Sequence, residues 1–168
     1  SVGGMAKGAG MLAPGLATML VVLTTDAVLG AEELSLALKE ACRITFNRTD
    51  SDGCMSTNDT VVLMSSGASA QRPDQVEFTR ALTAVCHSLA QQLITDAEGA
   101  SHDIAVTTVG AATETEAEDV SRTVCRSNLL KTAVFGNDPN WGRVLSAVGT
   151  TQAQFEPDRI DVSINGVT

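Results

Sequence analysis

Thr18 ends a stretch broken by Gly8, Gly10, Pro14 and Gly15 and heads an apolar run, Met19 to Leu23. Glycines there permit dihedrals that other residues resist, and Pro14 fixes its own φ and pushes Ala13 toward extended geometry. Such a loop can hold the Ala17–Thr18 peptide bent, with the threonine hydroxyl against the Ala17 carbonyl. That is the arrangement self-cleavage needs. Attack by the hydroxyl breaks the chain and leaves Thr18 with a free α-amine to serve as its own general base. An α-amine titrates near ~8, close to working pH, whereas a lysine at about 10.4 must first be brought down. The competing reading of a lone threonine here is the first residue of a strand.

Other chemistry-bearing residues say less. Cys42, Cys54, Cys86 and Cys125 are widely spaced, with no C-x-x-C and no histidine at ligand spacing, and read as buried free thiols. His87 falls within a predicted helix and His102 in a turn, neither beside a nucleophile signature. Asp50-Ser51-Asp52-Gly53 opens like a calcium loop but lacks the later ligands and the closing glutamate. No phosphate-binding glycine motif occurs, so neither nucleotide nor metal is implied. Glu98 stands just before Gly99 at a predicted helix end, where the helix dipole disfavours a carboxylate by several tenths of a kcal/mol.

The elements that must position these residues alternate between strand and helix. The spacing predicts strands over 18–26, 60–66, 104–109 and 160–164. Helices are expected over 31–48, 74–97, 115–130 and 140–148. The second helix should bury Val76, Phe78, Leu82, Val85, Leu89 and Leu93, and the third Ala117, Val120, Val124 and Leu129. This alternation indicates an α/β fold in one domain. Asn165-Gly166, a turn signal directly after a strand, suggests that another strand follows and that the chain is a piece of a larger protein.

Composition narrows the function classes. The chain has 168 residues, 43% hydrophobic and 18% charged, the balance of an ordinary globular domain. Its net charge of −9 leaves no basic stripe for nucleic acid or an anionic membrane. The apolar stretch 11–28 is interrupted by Pro14, Gly15 and threonines, and reads as loop and buried strand rather than a membrane span. Without a targeting segment, the cytoplasm is the default.

The opening motif Lys-Gly-x-Gly-Met-x-x-Pro-x-x-Ala-Thr-Met-Leu, from Lys7 to Leu20, resembles the cleavage site of the ornithine acetyltransferase family, bifunctional enzymes of arginine biosynthesis. Three more blocks resemble the family in the same order: Asp52-Gly53-Cys54-Met55-Ser56-Thr57-Asn58-Asp59-Thr60, Asp96-Ala97-Glu98-Gly99, and Phe135-Gly136-Asn137-Asp138-Pro139-Asn140-Trp141-Gly142-Arg143. The resemblance implies a layered αββα sandwich. Residues 1–17 would end an upstream α chain, and 18–168 would form the main part of the β-chain domain, truncated at its C-terminus.

It further implies that Thr18, freed by cleavage between Ala17 and Thr18, takes the acetyl group of N2-acetylornithine, releases ornithine and passes the acetyl to glutamate. Lys7 and Glu98 match the family's substrate-binding lysine and glutamate, suited to a carboxylate and an amino group. No cofactor is implied, and acetyl-CoA as a co-substrate stays open. The expected assembly is a hetero-oligomer of α and β chains. The family's upstream half, with its Thr-Gly oxyanion pair, and its C-terminal segment are absent from this sequence. Two rivals stand beside this reading: a self-cleaving amidohydrolase or aminopeptidase with the same nucleophile, and an inactive fragment awaiting its upstream half. The Asp138–Arg143 block carries no assigned chemical step; shaping the active-site wall or a subunit contact is preferred.

Overall fold

The computed structural model describes residues 1–8, 19–50, 53 and 58–167. They form a mixed α/β structure of two compact units, Ser1–Ala100 and Ser101–Thr168. The sequence pattern pointed to one domain. Its apolar side chains gather in two clusters, one centred on Leu23 and Leu82 and the other on Val124 and Leu130.

The first unit carries a three-stranded sheet in the order β1 (Val2–Lys7), β2 (Leu20–Thr25), β3 (Thr60–Ser65). β1 runs antiparallel to β2, and β3 runs parallel to it. Alternation along β2 turns Val21, Leu23 and Thr25 toward the core and Leu20, Val22 and Thr24 away from it. β1 was not anticipated, because Val2–Lys7 holds two glycines and little β propensity. Gly4 fits because it lies opposite Leu23: a Cβ there would meet Leu23 Cδ2 at 2.6 Å and the Val22 carbonyl oxygen at 2.8 Å.

Two helices cover the inner face. α1 (Ala31–Ile44) buries Ala37 and Ala41, small residues that let it lie close. α2 (Gln75–Thr95) buries Phe78, Leu82, Cys86 and Ala90 at helical spacing and packs against α1 and β1. Asp74 caps α2, accepting from the Val76 and Glu77 amides at 2.9 and 3.1 Å. Val76, expected in the core, is 75% exposed, while Phe78, two residues on, meets the sheet side. The outer face of the sheet carries exposed Met5, Leu20, Val22, Val62 and Met64.

The second unit is built on α3 (Glu114–Arg126), α4 (Asn128–Phe135) and α5 (Trp141–Val148). The single helix expected over 115–130 breaks at Ser127, whose hydroxyl accepts from the Leu130 amide at 3.2 Å and starts a new helix. That break turns Leu129 out, 52% exposed, and Leu130 in. Residues 104–109 form no strand, and 160–164 contribute only an isolated bridge between Ile164 and Val167. Their alternation remains visible in the half-burial of Ile104, Val106, Ile160, Val162 and Ile164.

Candidate active site

The β1–β2 pairing dictates what stands near the start of β2. Antiparallel register sets Lys7, the last residue of β1, opposite Leu20, the first of β2. Lys7 is exposed, on the same outer face as Met5. Parallel register then sets Thr60 opposite Leu20 on the other side. One end of the sheet therefore brings together Lys7, the residues that directly follow Thr18, and the Asp59–Thr60 step. Ala17 and Thr18 themselves lie outside the described residues, as do the expected cleavage and nearly all of its loop.

Met19, the residue after Thr18, is only 7% exposed and is held at both of its backbone polar groups. Its amide donates to Asp59 Oδ1 at 2.8 Å, and its carbonyl accepts from the Thr60 amide at 2.9 Å. In the sequence Asp59 stands out only as part of the block from Asp52 to Thr60. The available signal was an Asx residue directly before a strand, a position from which a short carboxylate reaches neighbouring backbone donors.

Glu98 is exposed, in the turn after α2. α2 ends at Thr95 with Asp96 as its C-cap, so Glu98 lies beyond the last helical turn and the dipole penalty falls on Asp96 instead. Gly99 takes φ +73, the left-handed conformation that glycine adopts at no steric cost. Among the described residues, neither Lys7 nor Glu98 forms an ion pair.

Two of the described thiols, Cys42 and Cys86, are poor nucleophiles near neutral pH. Burial pushes Cys86 up to about 12, with the neighbouring Cys42 adding to the shift, and burial raises Cys42 as well. Cys42 and Cys86 form no disulfide. Among the described residues no three His, Cys, Asp or Glu side chains converge as a metal would require. No helix there is long and apolar enough to cross a membrane.

The Phe135–Arg143 block sits in the second unit and closes the turn between α4 and α5. Asn137 adopts φ 56, and its Oδ1 lies 3.1 Å from His102 Nε2, while Ser101 Oγ lies 2.9 Å from His102 Nδ1. Asn140 caps α5 through the Arg143 amide at 3.1 Å. Arg143 Nη1 donates to the Leu129 carbonyl at 2.7 Å and to Thr132 Oγ1 at 2.9 Å, tying α5 to α4. The polar residues of the block thus build a turn, whereas Trp141 is 63% exposed and fills no core.

The ArgJ family matches along residues 1–168. The chain belongs to the ArgJ family. It is 68% identical to the arginine biosynthesis bifunctional protein ArgJ of Streptomyces avermitilis, over 99% of this chain and 44% of that protein. The proteins of the same name from Thermobifida fusca and Mycobacterium tuberculosis are 62% and 56% identical, again over 99% of this chain, and over 44% and 41% of theirs. The chain thus spans less than half the length of these relatives. A crystal structure of the arginine biosynthesis bifunctional protein ArgJ from Bacillus halodurans has the same fold, with a TM-score of 0.79 at 41% identity. It covers 83% of this chain and 68% of the crystallised one.

Proposed function

We propose that the protein carrying this chain is a glutamate N-acetyltransferase of arginine biosynthesis, acting in the cytoplasm through Thr18. The reading rests on family membership across the whole chain, with the Lys7–Leu20 motif intact. In the first step the Thr18 hydroxyl attacks the Ala17 carbonyl, the peptide nitrogen leaves as the Thr18 α-amine, and water hydrolyses the resulting ester. Two chains result, an upstream α chain and a β chain beginning at Thr18.

In the transfer step the freed α-amine takes the hydroxyl proton as the oxygen attacks the acetyl carbonyl of N2-acetylornithine. Collapse of the tetrahedral adduct expels ornithine, which leaves with that proton, and an acetyl ester remains on Thr18. Glutamate attacks the ester through its own α-amine and departs as N-acetylglutamate. Nucleophile and base reside on one residue, so no cofactor enters; acetyl-CoA would serve only as another acetyl donor. Lys7, brought beside the start of β2, suits the carboxylate that donor and acceptor share, and Glu98 suits an amino group. The two chains would stay together as a hetero-oligomer.

Intact mass is the test. The full-length polypeptide should resolve into two chains split between Ala17 and Thr18, and the β chain should gain one acetyl group when given N2-acetylornithine. Thr18→Ala should remain uncut and unlabelled, with turnover lowered at least ~1,000-fold. Release of free acetate with no N-acetylglutamate would assign a hydrolase instead, and an Ala variant that still cuts and transfers would remove Thr18 from the mechanism.

A further inference from the structure

We infer that Asp59 is a positioning residue for the Thr18 nucleophile, holding the amide of Met19, the next residue in the chain; the inference rests on the acetyl-transfer reading above. In an unbroken parallel ladder, a residue whose carbonyl accepts from position 60 would donate its own amide to the carbonyl of position 58. Met19 makes the first of these bonds, to the Thr60 amide at 2.9 Å. Its amide goes instead to the Asp59 side chain at 2.8 Å. A carboxylate therefore supplies this rung. The pairing of β2 with β3 begins at Leu20 and Thr60, one step inside this bond.

The physical consequence is a fixed point directly beside the reacting residue. Met19 is buried and its amide and carbonyl are both engaged, so the backbone has little freedom to swing at that residue. An ionised acceptor makes a stronger bond to an amide than a neutral carbonyl does. A nucleophile that must first face the Ala17 carbonyl and later an acetyl group needs such an anchor. Displacement by about 1 Å can cost on the order of 100-fold in rate.

The experiment compares wild type, Asp59→Ala and Asp59→Asn in the full-length polypeptide. It reads the rate of cleavage, kcat and KM of the cleaved fraction, thermal unfolding, and exchange of the Met19 amide. Asp59→Ala should slow cleavage and lower kcat by about 10- to 100-fold, leave KM within about threefold, keep the midpoint of unfolding, and speed exchange at Met19. Asp59→Asn should return both rates to within about threefold of wild type, because its amide oxygen accepts the same N–H. Wild-type rates in Asp59→Ala would overturn the inference. Equal losses in both variants would overturn it in favour of the carboxylate's charge, and a fall in unfolding midpoint with kcat and KM together would reduce Asp59 to a scaffold residue. A wild type that neither cuts nor transfers acetyl would remove the acetyl-transfer reading and this inference with it.

Discussion

The unit formed by residues 1–100 buries both of its aromatic side chains, Phe46 and Phe78, whereas that formed by 101–168 exposes all three of its own, Phe135, Trp141 and Phe155. The cause is geometric. In the first unit a sheet offers a plane on which α1 and α2 can lie, and Leu23 and Leu82 are wholly removed from water. In the second, three short helices enclose a smaller cluster of Val120, Val124, Leu130, Ala147 and Val148. A narrow core has no room for a ring. Stability should therefore concentrate in the first unit, and the second should be held more by caps and side-chain ties than by buried area.

The largest expected effect is Leu82→Ala, which opens a cavity at the contact of α2 with the sheet. It should cost about 2–5 kcal/mol of stability, read from urea unfolding followed by circular dichroism. In the second unit Arg143→Ala removes two donated bonds between α5 and α4, and should cost about 1 kcal/mol because the site is partly hydrated. Smallest is Trp141→Ala, within about 0.5 kcal/mol of wild type. The tryptophan emission should lie at a water-exposed wavelength and be readily quenched by acrylamide. A Trp141→Ala cost approaching that of Leu82→Ala would break the contrast, since it would mean that the second unit is built around this ring.

The candidate site shows the same division between what sequence carries and what packing adds. Strands β2 and β3 and helices α1 and α2 were legible because each has a local period: apolar alternation in the strands, and apolar residues at helical spacing under a capping Asp74. β1 was not legible, because Val2–Lys7 becomes a strand by borrowing the free edge of β2. The reverse error occurs at 104–109 and 160–164, where alternation is present but no paired strand forms. At Ser127 a cap outweighs a continuous helical pattern, and one extra non-helical residue moves Leu129 out and Leu130 in.

The sequence by itself determined the family, through four motif blocks in order, and with it the candidate residues Lys7, Ala17, Thr18 and Glu98. It also determined the elements whose signals are local. Only the tertiary structure decided that Lys7 stands across from Leu20, that Asp59 grips the Met19 amide forty residues away in sequence, and that Glu98 lies beyond the reach of its helix. These are facts of register and of hydrogen bonds across the sheet. Such partners are far apart along the chain, and nothing in local periodicity selects one partner for a strand over another.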